Sequence, residues 1–192
     1  MIESVLAKHS AKVSTKITVK SLISVGVVAL AVLLPQLVHL AAGASGGVQW
    51  LPMYLPVLLG GCLLGWKWGL GVGVLSPLVS FAITSLAGNA MPAAGRLPYM
   101  MAELAAFAAV SGLFSKRIAA NGWMAFPAVL LAQVSGRAVF LALAAVFQGV
   151  SALSAAAVWS QIQAGLLGMV LQAVLVPVIV MGLRALLLRD KE

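Results

Sequence analysis

The sequence predicts an all-α membrane protein, a bundle of six transmembrane helices with both termini cytoplasmic. Three observations predict it. Hydrophobic residues make up 62% of the 192 and charged ones only 8%, whereas a soluble domain carries about 25% charged residues. Apolar runs near the length of a bilayer-spanning helix, about 20 residues, recur along the whole chain. The cations fall between those runs, and nearly all of them fall on one side of the predicted membrane.

The first span is expected over 17–42, after a cytoplasmic tail of residues 1–16 that carries Lys8, Lys12 and Lys16. Together with Lys20, the apolar run behind it and the small triplet Ala42-Gly43-Ala44, this start has the anatomy of a signal peptide. The apolar stretch continues through Pro35 to Ala42, however, and is long enough to span, so it is read as a retained helix. The second span, 50–66, is short. Pro52 and Pro56 confine its regular part to the portion beyond them, and a re-entrant segment is the alternative reading there. The third span covers 69–87, with a kink expected at Pro77. The fourth covers 98–115 and the fifth 123–148. The sixth covers 159–188, with a second kink expected at Pro177. Short loops rich in Gly, Ala and Ser join the spans. No linker, low-complexity segment or internal repeat is visible, so residues 1–192 are read as a single membrane domain.

An even number of spans puts both termini on one side. That side receives Lys8, Lys12, Lys16, Lys20, Lys67, Lys116, Arg117, Arg184, Arg189 and Lys191, whereas the opposite loops 43–49, 88–97 and 149–158 hold Arg96 alone. Such a bias marks the cytoplasmic face. It also accounts for the net charge of +8 without invoking nucleic acid, which asks for a basic face on a soluble fold. Cys62, the only cysteine, can form neither an internal disulfide nor a metal cluster.

Charges inside a span are expensive in lipid and call for a reason. Two fall there, Glu103 on the fourth helix and Arg137 on the fifth. An ion pair between neighbouring helices is one reading; contact with a ligand in an outward cavity is the other. Gln133 shares a helix face with Arg137, four residues away. Gln161 and Gln172 punctuate the sixth helix. Ser80 and Thr84 form a polar pair on the third, and bonds to their own helix backbone are expected of them. The outward loops combine Trp50, Pro52, Met53 and Tyr54 with Asn89, Met91, Pro92, Arg96, Tyr99 and Met100. Such a surface grips a small organic molecule through a few polar contacts, although Trp50 and Trp159 read as an interfacial belt. The candidate ligand-binding residues are therefore Tyr54, Asn89, Arg96, Tyr99, Glu103, Gln133 and Arg137. His39, with no second histidine or acid nearby in sequence, is not read as a metal ligand. Gly65-Trp66-Lys67 lacks the features of a phosphate-binding loop. Ser111 and Ser135 have no neighbouring histidine to activate them. No enzyme and no cofactor are expected.

Glycines recur every fourth residue at Gly61, Gly65, Gly69 and Gly73, a spacing that lets helices approach closely. The run Leu51-Pro52-Met53-Tyr54-Leu55-Pro56-Val57-Leu58-Leu59-Gly60-Gly61 precedes Gly65, Gly69, Gly73 and Ser76-Pro77-Leu78-Val79-Ser80. Met91-Pro92 and Leu97-Pro98-Tyr99-Met100-Met101-Ala102-Glu103-Leu104 follow. This order, over roughly residues 50 to 117, resembles the substrate-binding S components of energy-coupling factor (ECF) vitamin transporters. It is nearest to the group with pantothenate- and cobalamin-type members. The resemblance implies high-affinity capture of a vitamin or similar micronutrient from outside a bacterial inner membrane. It implies docking on a membrane coupling subunit driven by two ATPase subunits, and toppling to release the cargo inside. Relatives often place small residues four apart on helix one, where the coupling subunit docks. Here Gly26, Ala29 and Ala31 are small without forming such a pair.

Two other classes stay open on the residues alone. A stand-alone secondary transporter or channel would use Glu103 and Arg137 to couple protons. A non-transporting membrane scaffold would use the glycine face to bind a partner helix.

Overall fold

The computed structural model describes residues 1–2, 6, 13–147 and 154–188. Lys8, Lys12, Arg189, Lys191 and part of the loop 149–158 lie outside the described residues. The described chain is helical, with no strand among the described residues. From Val13 on, eight α-helices follow one another among the described residues: α1 (Val13–Trp50), α2 (Tyr54–Leu64), α3 (Trp66–Leu86), α4 (Leu97–Leu113), α5 (Ser115–Ala120), α6 (Ala125–Phe147), α7 (Ala155–Ala164) and α8 (Leu166–Leu188).

Among the described residues, five stretches are long and apolar enough to cross a membrane: Val13–Gly43, Ser45–Leu64, Trp66–Leu86, Gly122–Phe147 and Leu166–Leu187. The expected fourth span is α4, which at 17 residues is shorter than these, about 25 Å at 1.5 Å per residue. The expected sixth span is divided at Gly165 into α7 and α8, and α8 alone has spanning length. The expected second span starts earlier, at Ser45, and is interrupted at Leu51–Met53. α3 and α8 run unbroken through Pro77 and Pro177.

Two turns need a residue without a side chain. α1 bends at Gly43 (φ 66°, ψ −168°), and α2 meets α3 at Gly65 (φ 87°); only glycine adopts such angles freely. Gly65 is thus a corner, not part of a packing stripe. The other members of the four-residue series do pack. A methyl group added at Gly69 would lie 2.9 Å from the Ala108 carbonyl oxygen, and at Gly61 2.5 Å from the same atom. At Gly73 it would meet the carbonyl of Leu104. Small residues on α2 and α3 therefore let α4 come to backbone contact, the means by which apolar helices associate without a hydrophobic drive.

Burial follows from this arrangement. α2 is apolar all round, and the span that contains it is 61% buried, against 22% for the first limb of α1. A helix apolar on every face belongs inside. α4 packs most extensively against α3 and α6, so the interior charge Glu103 lies at the middle of the bundle. Large apolar side chains such as Leu22, Leu40, Leu86, Val134 and Val170 point outward, as expected of a surface that faces lipid. One end of the bundle gathers cations. There Arg184 donates from Nε to the Ala119 carbonyl (3.1 Å) and from Nη2 to that of Ala120 (3.0 Å). The Met1 ammonium donates to the carbonyl (3.2 Å) and to the hydroxyl of Ser115 at the same corner.

Candidate functional site

At the opposite end a cavity of about 360 Å³ opens between the two limbs of α1, the break before α2, the α3–α4 connection, and one face each of α6 and α7. Its walls include His39, Tyr54, Asn89, Arg96, Phe140 and Gln161. A second cavity of about 570 Å³ lies between α1 and α3 near Lys67, with almost wholly apolar walls. None of the sequence-predicted binding residues reaches it.

The wall at the helix break is held from behind. Leu51 adopts a left-handed conformation (φ 50°), which costs a side-chain-bearing residue about 1–2 kcal/mol. The break takes the carbonyls of Trp50 and Leu51 out of the regular helical pattern: that of Leu51 accepts the Tyr54 N–H across the turn at 3.0 Å, and Gln172 Nε2 of α8 donates to both, at 3.1 and 2.8 Å. Gly168 lets α8 reach them: a methyl group there would stand 2.5 Å from the Gln49 carbonyl oxygen. Two interior hydrogen bonds thus offset a strained turn.

The α3–α4 connection is fastened in the same manner. The Ser80 hydroxyl donates to the Met91 carbonyl at 2.9 Å. Thr84 Oγ1 accepts the Met91 N–H at 2.8 Å. The Thr84 proton is shared between the carbonyls of Ser80 (2.7 Å) and Met91 (3.1 Å). Thr84 therefore bonds its own helix as expected, whereas Ser80 does not, because the loop carbonyl is within its reach. These bonds set Asn89–Ala93 as a cavity wall, with Met91–Pro92 in the cis form.

Beneath the cavity floor the polar residues form a ladder across three helices. The Tyr54 hydroxyl donates to Glu103 Oε2 at 2.7 Å, and Arg137 Nη1 donates to Glu103 Oε1 at 2.8 Å. The Arg137 guanidinium lies over the Tyr54 ring, 4.9 Å from its centroid. Phe107 meets that ring edge-on at 5.1 Å. Glu103 is wholly buried; both of its oxygens are engaged, which is what a charge in such a place requires. Arg137 keeps Nε and Nη2 buried without an acceptor.

The seven candidate residues separate into three groups. Tyr54, Asn89 and Arg96 line the cavity. Glu103 and Arg137 lie behind Tyr54 and reach the cavity only through it. Tyr99 and Gln133 sit elsewhere: Tyr99 packs behind the wall residue Phe140, ring centroids 6.4 Å apart, and Gln133 Nε2 ties α6 to the Met169 carbonyl of α8 at 3.0 Å. Sequence reasoning left His39 and Phe140 out of the site. For His39 a signal existed: Pro35 and His39 are four apart on one helix face, and both line the cavity.

The family model described as "ECF transporter, substrate-specific component" matches residues 20–180. The chain belongs to this family. The match takes in every helix from the first limb of α1 to most of α8, and with it the whole cavity and the ladder beneath. No curated protein and no solved structure gives a significant match. As a substrate-specific component with several apolar spanning helices, the protein is a multi-pass membrane protein and a transporter subunit; the members of this family are not enzymes.

Proposed function

We propose that this ECF substrate-specific component is the high-affinity binding subunit of an importer for a vitamin or related micronutrient, working in a bacterial inner membrane. It crosses the membrane six times, with α4 as the fourth crossing and both termini cytoplasmic. Membrane and ATPase partner chains supply the coupling and the energy. The observation that carries this reading is the position of the cavity. It lies at the end of the bundle away from Lys67, Lys116, Arg117 and Arg184, and so on the outer side by the distribution of positive charge.

The cavity volume is at the small end of the range for organic ligands, about 300–1,000 Å³. It suits a compact micronutrient of the pantothenate-like kind better than an entire corrin, which favours the smaller of the two expected types. Capture asks only that the cavity be formed before the ligand arrives, and the fastened walls at Met91 and Leu51 supply that preorganisation. Tyr54, Asn89 and Arg96 are the proposed ligand contacts. Glu103 and Arg137 hold Tyr54 in place, and Tyr99 supports Phe140. A proton-coupled stand-alone transporter draws little support from the ladder, because both Glu103 oxygens are already engaged.

The test is equilibrium binding of a vitamin panel to the purified chain, followed by uptake in cells with and without the ATPase subunits. Submicromolar binding with ATPase-dependent uptake is expected. Uptake that persists in vesicles lacking any ATPase would overturn the reading.

A further inference from the structure

The charges around the cavity are one-sided. The sequence holds four carboxylates: Glu3, Glu103, Asp190 and Glu192. Glu103 is fully engaged by Tyr54 and Arg137, and the other three belong to the chain ends. Residues 148–153, which lie outside the described set, carry no charge in the sequence. Among the described residues, no carboxylate is therefore left to balance a cation in the cavity. Arg96, by contrast, lines its mouth and forms no hydrogen bond or ion pair within the chain among the described residues. Arg96 also stands at the start of α4, whose first turn has no side-chain cap and contributes the positive end of a helix dipole. Behind Tyr54, the Arg137–Glu103 pair is neutral overall and offers no net charge to the cavity. The Gln161 amide oxygen is buried in the wall without a donor, and an unpaired buried acceptor is a cost that a ligand donor would remove.

We infer that the cavity takes a small organic acid: its carboxylate meets Arg96, its apolar body lies along Leu51, Met53 and Phe140, and a hydroxyl or amide N–H donates to Gln161. This rests on the binding-subunit reading above and adds the charge of the cargo. A cationic vitamin is excluded by the same accounting, since burying its charge beside Arg96 without a counter-ion is unfavourable.

The experiment is calorimetric binding to the purified full chain with matched probes: pantothenate against panthenol, biotin against biotinamide, nicotinate against nicotinamide, with thiamine as the cation. In each pair that binds, the acid is expected to bind roughly ten- to hundredfold more tightly, the worth of one charge-assisted hydrogen bond. Arg96→Gln abolishes that preference, Arg96→Lys retains part of it, and neither changes thermal unfolding, because Arg96 is exposed and unbonded. Equal affinity of acid and neutral partner overturns the inference. So does competition by thiamine, or the absence of binding by any acid at millimolar concentration. The ATPase dependence of uptake is scored separately. A chain that binds acids but transports without ATPase subunits loses the importer reading and keeps this one. A chain that assembles with ATPase subunits but prefers neutral or cationic ligands does the reverse.

Discussion

Tyr54 and Glu103, 49 residues apart in sequence, meet in a 2.7 Å hydrogen bond that joins the floor of the cavity to the middle of the bundle. Tyr54 thereby has two faces: its side chain lines the site and its hydroxyl completes the solvation of a buried carboxylate. Tyr54→Phe keeps the ring against Phe107 and beneath the guanidinium, and removes only the donor. An unsatisfied buried acceptor costs about 1–3 kcal/mol. The variant is expected to lose that much stability in detergent. Ligand affinity should fall as well, since the floor is no longer fixed. Thermal unfolding read beside calorimetric binding checks both; unchanged stability would mean that Glu103 finds another donor.

Glu103→Gln should be more damaging than Tyr54→Phe. It leaves the Arg137 charge without its partner, and breaking a buried ion pair from one side costs about 3–5 kcal/mol. Replacing both, as Glu103→Gln with Arg137→Met, removes the orphaned charge and should recover much of the loss. A double-mutant cycle on unfolding midpoints measures this coupling. Additive losses would show that the two residues do not depend on one another.

The meeting of Glu103 and Arg137 was legible in the sequence, because two opposite charges in apolar helices have few places to go but each other. The apolar runs and the one-sided cations were legible for the same reason: lipid tolerates few alternatives. Tyr54's place in the ladder was not. Pro52 signals an irregular start to this span, but the ladder depends on Leu51 taking a left-handed conformation, which a leucine does not announce. Gly65 fits a four-residue glycine series by spacing alone, yet it turns the chain at φ 87°, and periodicity does not register an interruption. The Gly165 break was passed over likewise: Gln161 and Gln163 precede it, but a single glycine inside a helical pattern is tolerated and does not by itself mark an end.

The loop that carries Asn89 is expected to depend on Thr84. Thr84→Val preserves shape but leaves the Met91 N–H without its acceptor, at a cost of about 1–3 kcal/mol. Ser80→Ala removes one bond to the Met91 carbonyl and leaves the shared Thr84 proton to serve it. The valine variant should release ligand about tenfold faster or more, with the alanine variant closer to the parent. Stopped-flow dissociation rates test the order, and equal rates for both variants and the parent would remove the loop from the site.

Two glycines on α3 give a contrast within one helix. A side chain at Gly73 runs into the Leu104 backbone, whereas one at Gly71 meets nothing within 4 Å. Gly73→Val should prevent α4 from seating and abolish ligand binding and expression of folded protein. Gly71→Val should leave both intact in the isolated chain. Size-exclusion profiles and binding read the difference, and tolerance of valine at residue 73 would show that α3 and α4 have slack.

Gln172 tests whether the strained turn at Leu51 is held or merely adopted. Its amide donates to the Trp50 carbonyl and to that of Leu51, which otherwise accepts only the turn bond from the Tyr54 N–H, and it is itself 3% exposed. Gln172→Leu fills nearly the same volume and cannot donate. Interhelical hydrogen bonds in membranes contribute about 0.6 kcal/mol on average and up to about 1.7, so the global loss should be small. The local effect should be larger, because the left-handed residue then has less to hold it and Tyr54 begins three residues on. The expected signature is an affinity loss out of proportion to the change in unfolding midpoint, with faster hydrogen exchange at 51–54. A variant that loses stability and affinity in equal measure would make Gln172 an ordinary packing residue, and the turn would need no support from α8.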